Sequence, residues 1–305
     1  MKTKYSQPQG RLNPLNDYLF LKVMGSKGDE VQLLGFLNAV LERTGHPKLK
    51  SVEIIENRSL SAEFIGNKSV VLDVRALLQG KSKVNIEVQL QSQPGFDRRM
   101  LFYWGVTYTE DQKSGQDYRE LPDVTAISIV DFDIPPGGTY HTSYHLWEDA
   151  QDLMLSEALE IHSINMRKWR HLDAIDPENI PLHRWLIWLD QGSPPELIAK
   201  AVSMDEAIKA ADERFAQVCL DPESLRIYRM RQMAEMDRIG QLAYAKEEGR
   251  EEGIEEGRVE GREEGLEEKA LEIAQKLLAY GAAPEFVEQI TGLDKETIEK
   301  LQMRN

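Results

Sequence analysis

A chain of 305 residues is long enough to bury a substantial core as one enlarged domain with an appendage, and its 37 Lys and Arg against 52 Asp and Glu give a formal net charge of −15. One cysteine, Cys219, excludes an internal disulfide framework and fits a reducing cytosol. No run is apolar for long enough to span a bilayer, and the first ten residues lack the apolar stretch of a signal peptide, so a soluble, cytoplasmic protein with no membrane partner is expected.

In chain order, a polar arm leads into a predicted helix over residues 15–25 and an amphipathic helix from Val31 to Arg43, stopped by Gly45 and Pro47. Strands are predicted near 51–57, 68–78 and 83–91. The second is the β-branched run from Val70 to Leu78, and Asp73 inside it is an acid that such a run disfavours without compensation. Gln79-Gly80-Lys81 reads as a turn. From Val84 to Gln91 apolar and polar residues then alternate with period two, which puts Asn85, Glu87, Gln89 and Gln91 on one face and Val84, Ile86, Val88 and Leu90 on the other. In a hairpin of these two strands Asp73 can sit opposite Glu87.

Gln93-Pro94-Gly95 opens a helix on which Phe96, Met100, Tyr103, Trp104 and Thr107 form a core stripe. Arg98 and Arg99 lie in its first turn, where the helix dipole disfavours cations; they read either as solvated or as facing an anion. Arg99 and Tyr103 are one helical turn apart. Further strands are predicted at Thr125–Phe132 and Tyr140–Trp147, giving an α/β sandwich around a mixed sheet, with the chain helical from about residue 150. Trp185, Trp188 and Leu189 form one face that reads as core rather than as a base-stacking platform, and Ser193-Pro194-Pro195 breaks it. His141 and His145 stand four apart in a predicted strand, a poor placement for chelation.

Between Glu247 and Glu268 the chain repeats, with glycines at 249, 253, 257, 261 and 265 laid along one drifting stripe of a helix. The stripe reads either as a close helix contact that makes a homo-oligomer or as a solvated connector; the apolar face of Ala270, Leu271, Ile273, Ala274, Leu277 and Leu278 favours association. Two short helices are predicted to end the chain, the second capped by Asp294. The expected organisation is a core over 1–150, a helical extension over 151–244 and the repeat tail over 245–305.

Two carboxylates at hydrogen-bonding range stay ionised together only with a cation between them. A divalent ion such as Mg²⁺, which takes one or two carboxylates plus waters and a phosphate oxygen, satisfies that requirement and implies phosphodiester hydrolysis. An acidic polar face on an exposed hairpin is the other reading of the same pattern. Acidity argues against a nucleic-acid partner, since affinity for DNA comes largely from phosphate neutralisation. Residues 1–145, however, hold 17 of the 37 basic and 17 of the 52 acidic residues, so the whole excess lies beyond them.

The Asp73…Glu87-x-Gln89 arrangement resembles the PD-(D/E)XK nuclease core in a variant with Gln in place of the terminal Lys. The wider chain is similar to the recombination-promoting nucleases, or PD-(D/E)XK family transposases. Asn16–Gly25 resembles that group's opening segment; Phe96–Trp104, Tyr108 and Gly115–Tyr118 resemble its post-motif helix and loop. Weaker echoes lie in Arg184–Leu189 and the Glu-Glu-Gly tail. The resemblance implies a PD-(D/E)XK-like mixed sheet flanked by helices, followed by a helical C-terminal region. It further implies a Mg²⁺- or Mn²⁺-dependent DNA endonuclease linked to recombination or mobile elements, or else a non-catalytic binding module on that scaffold. It assigns metal ligation to Asp73, Glu87 and the Val88 carbonyl. Gln89 takes the catalytic lysine's place, where it can orient by hydrogen bonding but supplies no charge. Asp17 is the acid that completes such a site, or a helix N-terminal acid complementing the dipole. Arg99, Tyr103 and Lys22 are the substrate-binding candidates; at Leu21 the group more often has Lys.

Overall fold

A computed structural model describes residues 10–28, 30–55, 74–79, 82–134 and 138–303. Helix α1 (Asp17–Met24) begins where the Asn16 side chain accepts from the Leu19 amide, and α2 (Val31–Leu41) passes into a single 3₁₀ turn that Gly45 ends at φ +77°. Among the described residues six strands follow: β1 (Glu53–Ile54), β2 (Val74–Leu77), β3 (Lys83–Gln89), β4 (Val124–Val130), β5 (His141–Glu148) and β6 (Leu153–Asn165). They form one mixed sheet in the order β1-β2-β3-β4-β6-β5, with β3–β4 and β4–β6 parallel and the remaining pairs antiparallel.

Helix α3 (Phe96–Thr109) is the crossover between β3 and β4. Its buried Phe96 and Met100 meet Ala126, Val130, Leu159 and Ile161 on one face of the sheet. The opposite face, with Ile86, Val88, Ile127, Ile129 and Ile164, meets α1, α2 and the later helices α5 (Pro181–Leu189), α6 (Pro195–Met204) and α7 (Glu206–Leu220) in the larger core. Between β6 and α5 comes one short helix, α4 (Met166–Trp169). Helices therefore cover both faces of a mixed sheet, the α/β sandwich expected.

Trp185 and Trp188 are wholly buried, Trp185 edge-on to Phe36 at 5.6 Å between centroids and Trp188 bonded through Nε1 to Asp212 at 2.9 Å. They are core anchors. Gly35 lets α2 approach α7 closely, since a Cβ at that position would stand 2.3 Å from the Cβ of Ala207.

One expectation is overturned. The chain does not turn helical at residue 150: Leu153–Asn165 is a strand, the longest among the described residues, paired with β4 along one side and with β5 along the other. Leu153, Met154, Leu155, Ala158 and Leu159 are residues that helices accept, but a place between two strands outweighs local propensity. A boundary at 150 thus runs through the β5–β6 hairpin, whose turn holds Asp152 at φ +54°.

The chain forms two compact units, Met1–Arg231 and Gln232–Asn305. Helix α8 (Pro222–Ala279) belongs to the first as far as Arg231. In the second unit its last turns pack with α9 (Pro284–Thr291) and α10 (Lys295–Gln302) around Ala274, Val287, Ile298 and Leu301. Asp294 caps α10 by accepting from the Thr297 amide at 2.9 Å, as its position in the sequence implies.

Candidate active site

The period-two pattern of β3 is realised in space. Val84, Ile86 and Val88 enter the larger core, which turns Lys83, Asn85, Glu87 and Gln89 toward the side covered by α3. Glu87 is 5% exposed. Arg99, in the first turn of α3, forms an ion pair with it, donates through Nη1 to Gln93 Oε1 at 2.6 Å, and lies over the Tyr103 and Phe96 rings at 5.1 and 5.9 Å. The anion that offsets a cation at this helix start is therefore a carboxylate of the chain itself. Burial pushes the Glu87 pKa up, and the charge and hydrogen bonding of Arg99 only partly reverse it. Arg98 is exposed.

Glu87 stands near the carboxyl end of a parallel strand, level with Ser128 of β4 and, beyond it, Ser163 of β6. Ligands in open α/β sheets bind outside such strand ends. Gln89, at the end of β3, is partly exposed and donates its side-chain amide to the Gln91 carbonyl at 2.9 Å. The Val88 side chain is core, so any ligand from this residue would be its backbone carbonyl. Asp73 lies outside the described residues. The pairing described next to it is Val74 with Ile86, in antiparallel register.

At the other end of the same face is a charged group that the sequence did not disclose. Arg75 and Lys83, both nearly buried, converge on Glu110 just past α3, and Lys83 also reaches Asp111 at 2.6 Å. Gln93, the second partner of Arg99, was likewise missed. Its only sequence signal is its place directly before Pro94-Gly95.

Asp17 and Lys22 are not gathered with Glu87. Both belong to α1, which packs on the opposite face of the sheet. The Asp17 carboxylate pairs with Arg231 at the start of α8, and Lys22 Nζ stands 5.7 Å from the centroid of Tyr18, whose hydroxyl bonds Ser224 at 3.1 Å. These contacts tie α1 to α8. Glu87, Arg99 and Tyr103 are thus the candidates that the structure brings together.

With that geometry in hand, comparison with protein families is decisive. The profile of the PD-(D/E)XK nuclease family transposases matches residues 14–245. The chain belongs to this family. The match spans α1, β2, β3, α3 and the rest of the sheet, so the PD-(D/E)XK transposase assignment covers every element that frames Glu87. No curated protein and no solved structure matches the chain.

A divalent cation of the kind PD-(D/E)XK transposases imply takes oxygen donors and keeps several waters. The Glu87 carboxylate and the Val88 carbonyl are donors of that type, and the buried Asn85 Oδ1 on the same face has no hydrogen-bond partner among the described residues. Among the described residues no group of three His, Cys, Asp or Glu side chains is arranged to hold an ion, and Asp73 is not among those residues. The donor chemistry therefore fits a hard ion held by few protein ligands. Among the described residues no helix is long and apolar enough to cross a membrane.

Proposed function

We propose that the chain is a metal-dependent DNA endonuclease that hydrolyses phosphodiester bonds and serves recombination or mobile elements. The observation that carries this reading is Glu87: a buried carboxylate at the end of a parallel strand, beside the cation Arg99, in a PD-(D/E)XK nuclease family transposase. Asp73, Glu87 and the Val88 carbonyl would hold Mg²⁺ or Mn²⁺, an ion that when bound polarises a phosphoryl oxygen and lowers the pKa of the attacking water. The reading requires Asp73 to reach the face of Glu87, and the neighbouring Val74–Ile86 pair supports that.

The protein's own groups supply the rest. With an ion bound, Glu87 would be one of its ligands, and Arg99 would present to the scissile phosphate its guanidinium, a planar donor that matches phosphate oxygens in pairs. Tyr103 holds the plane of that guanidinium by stacking. Gln89 orients water or phosphate by hydrogen bonding. Roles for Asp17 in completing the acidic set, and for Lys22 on the DNA backbone, require each to leave its present partner, Arg231 or the Tyr18 ring.

One observation favours a second reading, a non-catalytic nucleic-acid- or protein-binding module on the nuclease scaffold. Gln89 stands in the lysine's place and its amide is already bonded to Gln91. Supercoiled plasmid separates the two. With Mg²⁺ the wild-type protein should nick it, and Asp73→Ala and Glu87→Ala should lose nicking while remaining folded by circular dichroism. Cleavage by both variants at the wild-type rate would sink the assignment; DNA binding by wild type with no metal-dependent nicking would support the second reading.

A further inference from the structure

Four of the six histidines gather on the sheet face opposite Glu87, around one carboxylate. Glu160 of β6 is 3% exposed. Its Oε2 lies 2.7 Å from His46 Nε2, and its Oε1 lies 3.0 Å from His162 Nε2 and 3.4 Å from His145 Nε2. His162 Nδ1 is in turn 2.9 Å from His141 Nε2. His141 and His162 are almost wholly buried, whereas the His46 side chain is 42% exposed. His46 belongs to the segment that leaves α2 after Gly45. That segment has a second anchor at Leu49, whose amide and carbonyl both bond the Asn38 side chain, at 2.7 and 3.2 Å.

A buried carboxylate needs a countercharge. The charged and titratable groups that act on this cluster are Glu157, felt by His46, and Arg43, felt by His141. Glu42, Lys48, Arg184, Asp205 and Glu206 line the surface groove that His46 also lines. We propose that His46 and Glu160 form a proton-dependent clasp: protonated His46, paired with the buried carboxylate, fixes the segment after α2 against β6, and loss of that proton frees it between Gly45 and Leu49. Because His46 also lines the groove, the clasp sets the shape of that groove. Nothing in this inference depends on the endonuclease reading.

The electrostatics agree. The hydrogen bond to Glu160 raises the His46 pKa against the opposing effect of burial, with the charges of Glu160 and Glu157 adding to it. Burial, reinforced by His162 and Arg43, drives His141 down to about 3, so that ring stays neutral. Burial alone would raise the Glu160 pKa, but contacts with His162 and His46 carry it below the ordinary carboxylate range. A raised histidine pKa means that the stabilisation is complete below the ordinary histidine range and is lost as pH rises through the His46 value.

The test uses the full chain with ¹³C-labelled histidine, following ring resonances by NMR and amide hydrogen exchange from pH 5 to pH 9. The His46 midpoint should lie above the ordinary histidine value, and should fall in Glu160→Gln. The Gly45 and Leu49 amides, which donate to the Glu42 carbonyl and the Asn38 side chain, should, after correction for intrinsic rates, lose protection as pH rises, about tenfold for a midpoint one pH unit above that in Glu160→Gln. His46→Gln should abolish that dependence; because its side chain is partly exposed, this variant keeps the test valid should Glu160→Gln fail to fold. A His46 midpoint at or below the ordinary histidine value, or the same pH-dependent protection in His46→Gln as in wild type, would overturn the clasp.

Discussion

Glu87 illustrates what a single residue discloses in sequence and what it withholds. Its side of β3 was legible, because alternation with period two fixes which residues share a face once the neighbours are apolar. The start of α3 was legible too, and with it the question of which anion offsets Arg99. That the anion is Glu87 was not, since the pairing depends on how Gln93-Pro94-Gly95 returns the helix over the strand. Asp17 and Lys22 show the opposite failure: they sit in a segment that matches the family, but their partners stand on or beside α8, with Asp17 and Arg231 separated by 214 positions. Gln89 tests the chemistry directly. A lysine there restores a cation near the reacting phosphate, so Gln89→Lys should retain or raise the rate of plasmid nicking. Gln89→Leu removes the hydrogen bond and should lower it, by up to about a hundredfold if Gln89 aids the transition state as a preorganised donor does. Equal rates for Leu and Gln would leave the residue without a catalytic role.

Among the elements, the helices with clear caps and the strands with alternation were readable from local pattern. Asn16 at α1, Gly45 beyond α2 and Asp294 at α10 each mark an end for a local physical reason. Strand β6 was not readable, because its composition suits a helix and only its two neighbours make it a strand. Packing between helices was equally hidden. Gly35 looks like a weak point inside α2, yet it is where α2 and α7 come closest, and any side chain there meets Ala207. Gly35→Ala would ordinarily favour a helix by about 1 kcal/mol. Here overpacking should win and destabilise the protein by about 1–3 kcal/mol. Urea unfolding followed by circular dichroism measures the difference, and a Gly35→Ala protein as stable as wild type would mean that α2 and α7 separate without cost.

For the whole molecule the open question is what the second unit does with a helix that contains so many glycines. A Cβ built at Gly249, Gly253, Gly257, Gly261 or Gly265 meets no atom within 4 Å among the described residues of its unit. Five interior glycines cost a helix about 5 kcal/mol relative to alanine. The pairs Glu247–Arg250 and Glu255–Arg258 are exposed and screened by solvent, and return little of that. The imbalance favours a partner helix over a solvated connector, and the stripe is the surface on which a second copy would pack. Removal of residues 245–305 should therefore leave a soluble protein, since the sheet and both of its cores lie within Met1–Arg231. The truncated protein should have a lower oligomeric order, and binding to DNA that carries two sites should weaken through lost avidity. Replacing the five glycines by leucine should break the contact, whereas alanine should raise helicity and preserve it. Light scattering coupled to size exclusion decides the matter, because intact and truncated proteins of equal oligomeric state would make the repeat a solvated linker.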